Sequence, residues 1–237
     1  MLTPSQNTTL EPITSQLVRD YSGVTAHFSR IAVSGVGLDK RSSRQFTFRN
    51  FVSAARLLLD AQVQVIAWNG TSGSWMGVGV DRKLCRQLED ALGVPVTSST
   101  LAMLEAFREL GIQRYSLAVP YSKDMAHRIA EVYSAEGLRC VHSVFRGWNT
   151  GPEQSSMDEA AVRDLLETAV HPEAQCIAVV CTNVRAAPLI EEVEQRHNTT
   201  VLDSVAVTAW QCLRLVGIRN PRVAGWGRLL GKGDGLP

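Results

Sequence analysis

The chain lacks the patterns that would announce a metal centre or a stapled framework. Its five cysteines, Cys85, Cys140, Cys176, Cys181 and Cys212, are odd in number and form no C-x-x-C pair. That spacing argues against structural zinc and against a disulfide scaffold. The five histidines are scattered, with no H-x-x-x-H or H-E-x-x-H unit, so no metal site is expected. No Walker lysine and no dinucleotide-binding glycine fingerprint are present. Charge is balanced, 24 basic against 23 acidic residues, which favours neither nucleic acid nor an anionic membrane as partner. No apolar run is long enough to span a bilayer and the N-terminus has no basic-then-apolar leader, so the expected location is cytoplasmic.

What the 237 residues do contain is a regular alternation of short apolar runs and amphipathic stretches. Helices are predicted over 10–21, 45–59, 81–92, 101–110, 123–136, 158–169, 185–195 and 204–216. Strands are predicted over 24–33, 63–68, 114–119, 138–145, 176–181 and 200–202. Residues 1–9 read as a polar, turn-like stretch, 70–79 as a Gly/Ser loop and 146–156 as a long polar loop. One hydroxyl of Thr97-Ser98-Ser99-Thr100 is placed to cap the helix that follows. The alternation implies an α/β fold with parallel sheets and right-handed crossovers. The strand–loop–helix unit at 63–92 is echoed at 176–196. The chain is therefore expected to form two similar lobes, 1–99 plus 204–237 and 100–203, each with a short parallel sheet flanked by helices. Ligands bind beyond the carboxyl ends of parallel strands, which puts a site in the cleft between the lobes.

Two loops would face that cleft. Ile177-Ala178-Val179-Val180-Cys181-Thr182-Asn183 is a buried strand that delivers a thiol to a strand-to-helix turn. A helix N-terminus there would stabilise the thiolate. The competing reading is a structural thiol, since free cysteine is among the most buried residue types. Position favours function, because the other four cysteines fall inside helices or strands. The matching loop, Gly70-Thr71-Ser72-Gly73-Ser74, has glycine where the other has cysteine. Its backbone N–H groups and hydroxyls suit an oxyanion or carboxylate, although ordinary capping serines would look the same. Tyr121, just past a strand end, can donate its phenol to an anion or pack half-buried. Ser5-Gln6-Asn7-Thr8-Thr9 can hold a carboxylate or be a polar terminus. Phe46, Phe48, Trp75 and Trp148 are loop aromatics able to wall a pocket, and Asn149 is a further candidate carboxylate ligand.

Taken in order, Pro4-Ser5-Gln6-Asn7-Thr8-Thr9-Leu10-Glu11, Gly70-Thr71-Ser72, Pro120-Tyr121, Cys181-Thr182-Asn183 and Gly225-Trp226-Gly227-Arg228-Leu229-Leu230 resemble the motifs of the aspartate/glutamate racemase superfamily, in its arylmalonate decarboxylase and maleate isomerase branch. That resemblance implies an enzyme needing no cofactor and acting on a small carboxylate or dicarboxylate. The two-cysteine members of the superfamily place a thiol in each lobe, whereas here Gly70 takes the first position, as in the decarboxylases. The implied roles are Cys181 as the single proton donor, and Thr71, Ser72, Tyr121 and the N–H groups at Cys181 and Thr182 as anion-hole donors. Gly70, Asn7, Asn183 and Asn149 would line the substrate, with Phe48 and Val184 as apolar walls. Asn7 and Asn183 also suit a substrate with two polar ends, the isomerase pattern. The alternatives are an isomerase, racemase or hydrolase in which Cys181 is the nucleophile, and a carboxylate-binding relative without turnover. Restoring a thiol with Gly70→Cys is expected to create exchange at an α-carbon. A homo-oligomer is compatible with the sequence.

Overall fold

The computed structural model describes residues 1–39, 44–148 and 150–231. Its frame is two four-stranded sheets, each wholly parallel. The first comprises β1 (Leu2–Pro4), β2 (Ser29–Ile31), β3 (Ile66–Trp68) and β4 (Val96–Ser98), in the order β2-β1-β3-β4. The second comprises β5 (Arg114–Ala118), β6 (Arg139–Val144), β7 (Cys176–Val179) and β8 (Thr200–Asp203), in the order β6-β5-β7-β8. The two orders match strand for strand, which gives the predicted internal echo a structural form.

Eleven α-helices connect these strands among the described residues: α1 (Leu10–Val18), α2 (Phe48–Leu59), α3 (Gly73–Met76), α4 (Val78–Leu92), α5 (Ser99–Glu109), α6 (Lys123–Ser134), α7 (Gly151–Ser155), α8 (Glu159–Thr168), α9 (Ile190–His197), α10 (Ser204–Leu215) and α11 (Gly227–Leu230). Every residue of β3, β4, β7 and β8 is buried, as expected where helices cover both faces of a parallel sheet. The helix predicted after Ser98 forms, and Ser98 is its cap, accepting from the Leu101 N–H at 3.1 Å.

Four local expectations change. The stretch 1–9 does not stay turn-like: Leu2 and Thr3 are fully buried, and β1 pairs with both β2 and β3. The strand expected over 24–33 shrinks to β2. The Gly/Ser loop winds into α3 almost at once and hands over to α4 at Gly77, which has φ +115°. The polar loop 146–156 contains α7. That helix opens on a capping box in which Thr150 accepts from the Glu153 N–H and Glu153 accepts from the Thr150 N–H, with Pro152 in the first turn.

Helices α5 and α10, which follow the fourth strand of each sheet, pack on one another. A buried polar seam runs through that contact: Ser204 donates to Val179 O (2.7 Å), Thr208 to Ser99 Oγ (2.8 Å) and Ser99 to Asn69 Oδ1 (3.2 Å). It ties the end of β3 to the end of β7, and those are the two strands that deliver the predicted site loops. The C-terminal motif closes the molecule at Gly227. Its φ is +75° and a Cβ there would lie 2.2 Å from Ile190 Cγ2, so only glycine fits. Buried Glu194 accepts from the N–H groups of Arg228 (2.6 Å) and Val201 (2.8 Å), fixing the motif to β8.

Candidate active site

The carboxyl ends of β1, β3, β5 and β7 converge on one small cleft of about 50 Å³, room for a few water molecules. Its wall includes Gln6 and Asn7 from the segment after β1, Gly70, Thr71 and Ser72 after β3, Tyr121 after β5, Thr182 and Asn183 after β7, and Gln154 from α7. Of the residues singled out in the sequence, the structure therefore brings together Asn7, Gly70, Thr71, Ser72, Tyr121, Thr182 and Asn183. Cys181 lies immediately behind the wall, bonded to Gln154. Phe48 is not there: it sits on the first turn of α2 and is 39% exposed. Phe46, two residues earlier, lines the cleft instead and meets Trp68 edge-on at 6.0 Å. Val184 is fully buried beside Cys181. Trp75 also lines the cleft, whereas Asn149 falls outside the described residues.

Cys181 is 2% exposed and its Sγ donates to Gln154 Oε1 at 3.7 Å. Burial pushes the thiol up to about 11, against the opposing pull of the Tyr121 hydroxyl and the N–H groups of Asn183 and Val184. The expected thiolate stabilisation by a helix N-terminus is not found. After Cys181 the chain passes through turns, a short 3-10 turn begins only at Ala187, and α9 follows at Ile190. With no dipole end against it, desolvation wins, and at neutral pH the group is a neutral thiol able to give a proton.

One wall of the cleft carries three hydroxyls held by neighbouring side chains. Ser72 Oγ accepts from the Trp68 indole N–H at 3.0 Å, which leaves its own proton to donate. The hydroxyls of Thr71 and Tyr121 are 3.3 Å apart. Burial holds the Tyr121 phenol far above its ordinary value, so it remains a donor, and its ring packs edge-on against Trp75 at 5.6 Å. The N–H groups of Thr71 and Ser72 have no backbone acceptor among the described residues. Hydroxyl and backbone donors grouped on the wall of one small cleft suit a developing carboxylate or enediolate charge.

Asn7 and Asn183 have a first duty that is structural. Asn7 donates to Thr182 Oγ1 (3.0 Å) while its Oδ1 accepts from the N–H groups of Thr9 and Leu10 (2.9 Å each), capping α1. Asn183 accepts from the Thr8 N–H (3.1 Å) and donates to Gly151 O (2.8 Å). Thr182 in turn donates to Asn69 O at 3.4 Å. The loops after β1, β3 and β7 are stitched together before any ligand arrives, and each asparagine amide retains one hydrogen for a ligand.

Two residues had no functional reading in the sequence. Gln154 lies in a stretch that reads as loop, although the T-x-x-E pattern of Thr150 and Glu153 with Pro152 is a helix-start signature. Trp68 looked like an ordinary strand residue. Its ring lies over Gly70: a Cβ on Gly70 would sit 2.4 Å from Trp68 Cζ2 and 2.5 Å from Cε2. A thiol introduced by Gly70→Cys would therefore meet the indole, and one of the two must shift. Among the described residues no cluster of three or more His, Cys, Asp or Glu is arranged to hold a metal ion. Among the described residues no helix is long and apolar enough to cross a membrane.

Comparison with known proteins agrees with this geometry. A family model described as arylmalonate decarboxylase matches residues 12–230. Arylmalonate decarboxylase from Bordetella bronchiseptica is 28% identical over 201 residues, covering 83% of this chain and 84% of that protein. Maleate isomerase from Alcaligenes faecalis is 23% identical over 239 residues, covering 97% of this chain and 94% of that one. A crystal structure of a liganded arylmalonate decarboxylase mutant superposes with a TM-score of 0.84 at 25% identity, over 97% of each chain.

Proposed function

The chain belongs to the arylmalonate decarboxylase family, and from that membership we propose that it is a cofactor-independent decarboxylase of a substituted malonate. Its relatives include both decarboxylases and maleate isomerases, so the choice between them rests on the site. One observation carries it. Gly70 holds the place after β3 that Cys181 holds after β7, and the Trp68 indole occupies the space a side chain on Gly70 would need. A reaction needing one acid on one face fits this site; a reaction needing a thiol on each face does not.

In this reading one carboxylate of the malonate is held by Thr71, Ser72 and Tyr121. The other leaves as carbon dioxide, and the bonding pair it abandons spreads onto the retained carboxylate as an enediolate. The donors stabilise that charge more than they stabilise the substrate, which is where the acceleration arises. Phe46, Trp75 and Val36 supply apolar surface in the cleft that favours loss of a charged group to a neutral gas. The Cys181 S–H then protonates the α-carbon from its own side, and the thiolate recovers a proton from solvent. Burial raises the thiol's pKa, which suits an acid and does not suit a resting nucleophile.

The test is turnover of a panel of substituted malonates in deuterated water. Carbon dioxide release with one deuterium at the product α-carbon is expected, and the Cys181→Ala variant should lose it. Retained activity in that variant would remove Cys181 from the mechanism. A covalent maleate adduct on Cys181 without decarboxylation would replace this reading with an isomerase.

A further inference from the structure

Gln154 has one end committed and one end free. The side chain is 4% exposed and stands on the cleft wall. Its Oε1 accepts the Cys181 thiol proton, while its Nε2 is sealed from solvent with no hydrogen-bond partner. The amide orientation follows from the thiol. A neutral S–H needs an acceptor and sulfur is itself a weak one, so the carbonyl oxygen faces the sulfur and the N–H2 group faces away. A buried donor left without a partner is destabilising and uncommon, and is relieved when a ligand brings an acceptor.

The decarboxylase reading, on which this inference rests, says what such a ligand can offer. One carboxylate is engaged by Thr71, Ser72 and Tyr121, and the other departs. The α-substituent is the remaining part of the substrate. Gln154 lines the cleft and bonds the thiol that this reading makes the acid, so of the substrate's parts the α-substituent is the one left for its amide to meet. We propose that Gln154 determines substrate specificity: its free amide N–H donates to an oxygen on the α-substituent. Malonates whose side arm carries an ether, carbonyl or carboxylate oxygen close to the α-carbon are then preferred over hydrocarbon arms of the same shape. A site built to hydrogen-bond a substrate group discriminates against the analogue lacking it, because the buried partner is left unpaired.

The experiment compares methoxymethylmalonate with propylmalonate, a pair differing by one oxygen for one methylene. Wild-type protein is expected to prefer the ether by about tenfold or more in kcat/KM, with affinity measured by calorimetry moving the same way. Gln154→Met keeps the length of the side chain and removes the N–H. It should collapse the ratio to near one even though the loss of the thiol's acceptor lowers kcat for both compounds. A wild-type ratio within twofold, or a ratio unchanged in Gln154→Met, overturns the proposal. The wild-type ratio decides alone if the variant does not fold. If no malonate is turned over, the decarboxylase reading fails separately, and calorimetric affinities for the same pair decide Gln154: tighter binding of the ether supports its role and equal binding ends it.

Discussion

Adding a single methyl group at Gly70 is the sharpest probe of how this cleft is held. In Gly70→Ala the new Cβ would lie 2.4 Å from Trp68 Cζ2, so the indole must retreat by roughly 1 Å to reach ordinary contact. The ring has little freedom to do so. Trp68 is 1% exposed, packs edge-on to Phe51 at 4.9 Å and to Phe46 at 6.0 Å, and donates to Ser72 Oγ at 3.0 Å. Breaking that buried hydrogen bond costs about 1–3 kcal/mol. Overpacking the aromatic cluster costs about 1–3 kcal/mol more. A total near 3 kcal/mol corresponds to a fall in Tm of about 6–12 °C for a chain of this size. The measurement is a thermal or urea unfolding series on wild type, Gly70→Ala, Trp68→Leu and the double variant. Trp68→Leu removes the colliding ring, so the double variant is expected to be about 2 kcal/mol more stable than the two single effects would sum to. A Gly70→Ala protein within 2 °C of wild type by this scale, or strictly additive effects, would refute the steric argument. A second thiol at this position meets the same ring. Exchange at an α-carbon is expected only when Gly70→Cys is combined with Trp68→Leu.

Removing the Tyr121 hydroxyl with Tyr121→Phe should lower kcat by roughly 10²–10³-fold with little change in folding, since an oxyanion donor acts mainly in the transition state; an unchanged kcat would take Tyr121 out of the anion hole. Because the Cys181 thiol sits at about 11, activity should stay level up to about pH 9.5, where an unperturbed thiol of about 8.5 would be largely ionised. A decline centred near pH 8.5 would contradict the burial argument. Asp203 is fully buried, caps α10 through Oδ1 and is pushed up to about 7 by desolvation. Its folded-state value lies above the unfolded one, so its contribution is fully present below about pH 4 and is lost as pH rises through about 7. Asp203→Asn keeps an acceptor for the cap and cannot ionise. Between pH 5 and 8 wild type should therefore lose roughly 2–3 kcal/mol more stability than the variant, about 5–10 °C in Tm. Parallel Tm curves would show that Asp203 does not titrate in that window.

By itself the sequence determined the alternation of strands and helices, because apolar runs of four to six residues between amphipathic stretches have few other uses. It also determined the correspondence between Gly70 and Cys181, since both follow a buried strand at the same offset, and the cap at Ser98. Motif order brought Asn7, Thr71, Ser72, Tyr121, Thr182 and Asn183 to one cleft because each lies just past a parallel strand, and all such ends face one way. Periodicity said little about β1, whose three residues are too few to show a period and gain their strand character from two neighbours. Only the tertiary structure decided the surroundings of the candidate residues. The Cys181 thiol is neutral because of what surrounds it, and a local pattern that promised a helix dipole could not report desolvation. Gly70 is fixed by an indole two residues earlier in the chain that folds back over it. Gln154 reaches Cys181 across 27 positions of sequence. Such contacts depend on how separate segments pack, and a single chain read residue by residue carries no record of those distances. The thiol that marked the site from the outset therefore acquires its character from burial, Gln154 and Tyr121, whose proximity exists only in the folded molecule.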